Sequence, residues 1–206
     1  MNYIIKGTSR CGKTMLTNLI VQKLVGYNKL STDTLIQVFD RVMPNEKINH
    51  ERGKGMNEKF PAFLKDLFLS SIKKDNKLGL FYVLEGVDVT DELLEEFNSR
   101  EDITVICLGK PSLPRDEYFK EVRHFEELYL YGEWTKRLED EELYRYVDYW
   151  ITEANRIKNM AKEKGFLFFD TSFDQEKVIN KIFKQIKETN KKDLGLKKPE
   201  KVWVKK

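Results

Sequence analysis

The chain is poor in the residues that mark secreted scaffolds, metal centres and membrane spans. Its two cysteines in 206 residues, Cys11 and Cys107, cannot make a disulfide framework, so stability must come from a buried core. The two histidines, His50 and His124, stand far apart, and no His/Cys spacing suits zinc. No apolar run approaches the ~20 residues needed to cross a bilayer, and no cleavable leader is expected. Met1 runs almost directly into a strand pattern, so no N-terminal extension is expected. These absences lead us to expect a reduced, cytoplasmic protein with no membrane partner.

What is present is an ordinary globular composition, 40% hydrophobic and 34% charged, long enough for one domain with a substantial core. The net charge of +3 is uneven. From Asn190 to Lys206, seven lysines face Asp193 and Glu200, so this tail carries +5 and leaves −2 for the rest. A basic tail can touch nucleic acid or a membrane surface, but a solvated end is the simpler reading. Nucleic acid is therefore not the expected partner.

The most informative stretch is the first fourteen residues. Gly7 to Thr14 reads G-T-S-R-C-G-K-T, a Walker A loop. Gly7 and Gly12 let the backbone wrap a phosphate chain, and the N–H groups of Thr8, Ser9, Arg10 and Cys11 can point inward at it. Lys13 would reach the β and γ phosphates, and the Thr14 hydroxyl would ligate Mg²⁺. The context fits. Tyr3-Ile4-Ile5 is a β-favouring run, and Met15, Leu16, Leu19, Ile20 and Leu24 follow at helical spacing.

Further along, Gly26-Tyr27-Asn28 reads as a turn and Lys29–Ser31 as a short strand ending at Thr32-Asp33-Thr34. Leu35 to Val42 suggests a helix, and Asn45 to Met56 a loop. Phe60 to Lys73 is an amphipathic helix pattern. Leu80–Glu85 and Ile103–Leu108 are near-continuous apolar runs, typical of strands buried on both faces. Thr90 should cap a helix opening Asp-Glu-Leu-Leu. Ser112 to Glu139 is polar and aromatic without clear period. A long helix should start near Asp140 and end at Gly165; Phe166–Asp170 then makes a fifth strand and Val178 to Ile186 a last helix. Five such strands alternating with helices imply an α/β fold, a parallel sheet covered on both faces in three layers. Ligands should gather outside the C-terminal ends of its strands.

Several side chains at those ends are candidates for chemistry. Asp33 is placed to orient an acceptor hydroxyl and take its proton, or to hold Mg²⁺ through water. Glu85 ends an apolar strand, where a charge is costly unless partnered, and Mg²⁺ or Thr14 would partner it. The segment Lys110 to Glu139 has the make-up of a lid, and its Arg123 and Arg137 are candidates to neutralise a transferring γ-phosphate. Residues 40–60 would form an acceptor-binding insertion, in which Arg41, His50, Arg52 and Lys59 point to an anionic acceptor.

The chain resembles small P-loop kinases of the adenylate-kinase-like group. Ile4 to Leu24 matches that group's strand, loop and helix, and Thr32-Asp33 before an apolar helix resembles the second-strand acid of shikimate-kinase-like and zeta-toxin-like enzymes. Val83-Leu84-Glu85-Gly86-Val87 is similar to the I-E-G-V stretch of 2-phosphoglycerate kinases. The closing half, with Leu108-Gly109-Lys110-Pro111, Glu133-Trp134-Thr135 and Phe169-Asp170-Thr171-Ser172, is similar to bacterial kinase-like ATP-binding proteins. The resemblance implies a P-loop NTPase fold over residues 1–189 with strand order 2-3-1-4-5, a lid supplying arginines, and ATP with Mg²⁺ as donor. The activity to expect is transfer of the γ-phosphate to a small metabolite by a monomer or homodimer. Two alternatives stand beside it: a nucleotide-dependent switch acting through a protein partner, and a toxin-type kinase of nucleotide-sugars or nucleic-acid ends.

Overall fold

The computed structural model describes residues 1–46, 59–128 and 134–193. Its centre is a five-stranded, all-parallel sheet ordered β2-β3-β1-β4-β5. The strands are β1 (Asn2–Gly7), β2 (Tyr27–Ser31), β3 (Phe81–Gly86), β4 (Ile103–Gly109) and β5 (Leu167–Asp170). The helices between them are α1 (Lys13–Lys23), α2 (Thr32–Val42), α3 (Lys59–Asp75), α4 (Asp91–Asn98), α5 (Arg115–Leu128), α6 (Asp140–Lys164) and α7 (Gln175–Asp193). The order is the one the resemblance implies.

β1 pairs with β3 on one side and β4 on the other, so all six of its residues are buried. Strand alternation divides it between two cores. Tyr3 and Ile5 pack with Leu16 and Ile20 of α1 and with Ile179, Ile182 and Ile186 of α7. Ile4 packs on the opposite face with α2, α3, α4 and α6. There α3 contributes Phe60, Leu64, Phe68 and Ile72, every fourth residue and each at most 1% exposed. Burying each such side chain stabilises the fold by about 1.5–3 kcal/mol.

Local signals fall where the sequence places them. The Thr90 side chain accepts the Leu93 N–H at 3.3 Å and caps α4, and Gly165, at φ 73°, ends α6 in the left-handed conformation. Three expectations need correction. β2 starts at Tyr27, because Gly26 alone turns the chain and Tyr27 is drawn into the α1–α7 core. α2 starts at Thr32, so Asp33 lies in a helical first turn rather than at the strand's end. The aperiodic 112–139 segment contains a regular helix, α5, whose Tyr118 and Val122 pack with Leu143, Val147 and Trp150 of α6. Eight of its fourteen residues are charged, which thins the apolar stripe to one face. His50 and Arg52 of the expected insertion, and 194–206 of the tail, lie outside the described residues.

Polar ties then set the loops over the sheet. Lys6 of β1 is buried and donates to the carbonyls of Val87 (3.1 Å) and Val89 (2.6 Å), holding the segment between β3 and α4. Burial lowers its pKa. Arg156 of α6 forks onto Asp91 at the start of α4 and onto Glu153. Burial alone would raise the Asp91 pKa, but the Arg156 bonds outweigh it and hold the carboxyl below its ordinary 3.8. The pair's contribution is therefore present above that value and lost as pH falls through the folded-state pKa. Asp91→Asn should cost about 0.5 kcal/mol at neutral pH, a small figure because Arg156 is 45% exposed. In urea titrations the gap to wild type should close as pH falls below 3.8; a gap that stays constant would assign the loss to packing.

Candidate active site

The strands' C-terminal ends bring the Walker A loop, Glu85 and the starts of α2 and α5 to one edge. The loop leaves β1 at Gly7 and enters α1 through Gly12, whose φ of 94° only glycine adopts without strain. Its carbonyls are tied back to the protein. Thr8 O accepts from Lys13 Nζ (2.7 Å), Ser9 O from the Tyr118 hydroxyl (2.6 Å), Cys11 O from Thr171 Oγ1 (3.0 Å), and Gly12 O from the Leu16 N–H (3.0 Å). What the loop can offer an anion is its N–H groups, the Lys13 ammonium and the positive end of α1. Burial pushes the Tyr118 phenol well above its ordinary range, so it stays a donor to the loop. Burial likewise pushes up the thiol of Cys11, which faces Gly7 inside the loop.

Beside the loop, Thr14 Oγ1 lies 3.5 Å from both carboxylate oxygens of Glu85. Glu85 is 3% exposed and forms an ion pair with Lys29 of β2 at 2.9 Å. Neighbouring ligands of six-coordinate Mg²⁺ lie about 3 Å apart, given bonds of about 2.1 Å. A hydroxyl and a carboxylate at this spacing fit that ion. Among the described residues no three His, Cys, Asp or Glu side chains form a metal cluster, so a metal would take most of its ligands from phosphate and water.

Across the β2–β3 edge, buried Thr32 donates from its hydroxyl to Asp88 Oδ2 at 3.4 Å. It sits against Gly86, where an added Cβ would lie 1.8 Å from Thr32 Oγ1. Asp33 is exposed in the next position of the α2 first turn. Arg41 and Lys59 are exposed at the far end of α2 and the start of α3.

On the other side of the loop, a cleft of about 670 Å³ opens between α1, α5 and the start of α7. Arg10, Lys13, Asn18, Lys110, Phe125 and Gln175 line it. Lys110 is buried where β4 ends and pairs with Glu121 of α5. The Arg10 guanidinium lies 4.2 Å from the Phe125 ring centroid and donates to Thr135 Oγ1 at 3.4 Å.

The two lid arginines are placed differently from one another. Arg123 donates to Glu126 (2.9 Å), Asp140 (2.7 Å) and the carbonyls of Leu138 (2.9 Å) and Thr135 (3.4 Å), which ties α5 to the entry of α6. Arg137 is exposed on the short helix Trp134–Arg137. The arginine at the loop is Arg10. The sequence marks it only as a variable Walker A position, although an arginine beside G-K-T is itself a readable cue. Lys29 carries no such cue, because its pairing with Glu85 depends on strand register.

No protein-family model and no curated protein sequence matches the chain. Among solved structures it is similar to a shikimate kinase from Bacteroides thetaiotaomicron, at 16% identity and a TM-score of 0.56, over 93% of this chain and 98% of that one. It is also similar to a gluconokinase from Sinorhizobium meliloti 1021, at 7% identity and a TM-score of 0.54, over 95% and 97% of the two chains. Among the described residues no helix is long and apolar enough to cross a membrane. The chain has the fold of these small-molecule kinases.

Proposed function

We propose that the protein is an ATP-dependent phosphotransferase that moves the γ-phosphate to a small hydroxylated metabolite. The observation that carries this reading is the Thr14 hydroxyl 3.5 Å from both Glu85 carboxylate oxygens, beside a Walker A loop over which Lys13 is held by its bond to Thr8 O. The loop N–H groups and Lys13 hold the β and γ phosphates. Thr14 and Glu85 would hold Mg²⁺, which would supply positive charge to the phosphates. The 670 Å³ cleft receives the nucleoside, with Phe125 and Arg10 as its flat surfaces.

The acceptor enters from the β2–β3 side. Asp33, exposed in the α2 first turn, orients the acceptor hydroxyl and takes its proton. Arg137 and Arg123 would reach a transferring phosphoryl group on rearrangement of the segment around Thr135. Charge on that group is most extended in the transition state, so cations fixed there act on the rate and not only on binding.

The experiment is ATP consumption with Mg²⁺ across a panel of hydroxylated and phosphorylated metabolites. One acceptor should raise turnover well above basal hydrolysis. Asp33→Asn should lower that acceptor-dependent rate about 10²-fold, the low end for a general base, because this carboxylate is exposed. Tight ATP binding with no acceptor effect, together with a silent Asp33→Asn, would favour the switch reading, and protein partners would be sought next.

A further inference from the structure

Lys29 pairs with Glu85, the buried carboxylate beside Thr14. It belongs to the edge strand β2, and the pairing of Ser31 with Glu85 sets the register between β2 and β3. Strand alternation puts Lys29 on the same face as Ser31, that of α1, and its ammonium reaches Glu85 Oε1 at 2.9 Å. Its side chain is 30% exposed, against 4% for that of Glu85. A carboxylate so buried needs a compensating charge, and Lys29 supplies one before any metal arrives.

We propose that Lys29 is a positioning residue that orders metal binding after nucleotide binding. Together Glu85 and Lys29 present no net charge, and Thr14 itself stands beside Lys13 in the positive first turn of α1. The nucleotide-free site therefore attracts a divalent cation weakly. A triphosphate reverses the balance by adding several negative charges beside Thr14, so the ion binds once the nucleotide is in place. Lys29 meanwhile keeps the Glu85 carboxylate directed at Thr14, ready for that ion. This order keeps free metal from occupying the loop before its substrate. The triphosphate half of the inference rests on the proposed kinase reading; the charge balance at Glu85 does not.

The test is Mn²⁺ binding to the nucleotide-free full-length protein, followed by electron paramagnetic resonance of the free ion. Wild type should bind weakly, and Lys29→Met, which keeps the length of the stem, should bind at least about tenfold tighter, since a unit charge a few ångströms from the ion has been removed. Lys29→Arg should match wild type. The gain should disappear in the double variant Lys29→Met with Glu85→Gln. Should Lys29→Met melt early, Lys29→Gln replaces it, with thermal melts to show that it is folded. An unchanged affinity in the neutral variant, or a gain that survives Glu85→Gln, overturns the assignment. If affinities follow the prediction but no acceptor is ever found, the kinase reading falls and the Lys29 assignment stands. If phosphoryl transfer is measured while the affinities coincide, only the assignment falls.

Discussion

Lys13→Ala should lower acceptor-dependent phosphoryl transfer about 10³-fold while leaving the protein folded. Lys13 is half-buried at the start of α1, and its ammonium donates to Thr8 O at 2.7 Å. That bond uses one of three N–H donors and holds the charge over the loop. Losing a fixed cation at a transferring phosphoryl group costs about 10³–10⁵ where it has been measured, and single preorganised donors about 10²–10³. Lys13 has both characters, and the loop N–H groups remain, so the overlap of the two ranges is the expectation. The bond to Thr8 O is lost, so the melting temperature should move by no more than a few degrees. Lys13→Arg should not restore the rate, because a planar fork does not replace a compact ammonium inside a loop this tight. The measurements are kcat/KM with the acceptor found by the panel, ATP binding by calorimetry, and a thermal melt. Transfer within tenfold of wild type, in a folded variant, would remove Lys13 from the chemistry and the kinase reading with it.

Much of this site was legible because its parts are local. A Walker A loop needs only eight consecutive residues between a strand and a helix. Val83-Leu84-Glu85-Gly86 announces itself because a strand covered on both faces must be apolar, and a carboxylate at its end breaks the pattern. The remaining parts depend on the packing of distant segments. Nothing in Lys29-Leu30-Ser31 tells which strand it will pair with, and the ion pair with Glu85 exists only in the observed register. Arg123 and Arg10 show the same limit from two sides. Both are basic residues in polar surroundings, yet one is drawn into bonds with Glu126 and Asp140 while the other lies over Phe125 beside the phosphate loop. α5 is hidden in the sequence for a different reason. Its stability comes from packing Tyr118 and Val122 onto α6, and its charge density hides that face. Asp33 shifted from strand end to helix start because Thr32 is drawn inward against Gly86, a contact between segments more than fifty residues apart.

That contact gives the largest expected effect on stability. Gly86→Ala should destabilise the protein by about 3 kcal/mol, the upper end for overpacking. The added Cβ would lie 1.8 Å from Thr32 Oγ1 and 2.7 Å from its Cβ and Cγ2. Thr32 cannot swing aside at little cost. It is β-branched, fully buried in the first turn of α2, and its hydroxyl bonds Asp88. Gly86 is fixed in turn, since β3 is paired with β1 and β2. Relief must come from moving α2 away from the sheet, which opens the core around Ile36 and Phe39. For a chain of this length the melting temperature should fall by about 10 °C. Thr32→Ala alone should cost about 1 kcal/mol, for a lost methyl and hydroxyl. Combined with Gly86→Ala it should recover about half of the damage, because two of the three clashing atoms are gone. Costs that simply add would mean that the strand, not the helix, yields. The helix carries Asp33, so the same displacement should lower acceptor-dependent turnover in whatever Gly86→Ala protein remains folded, with little change in ATP binding on the other side of the loop. An ATP affinity that falls as far as turnover would place the disturbance at the loop instead.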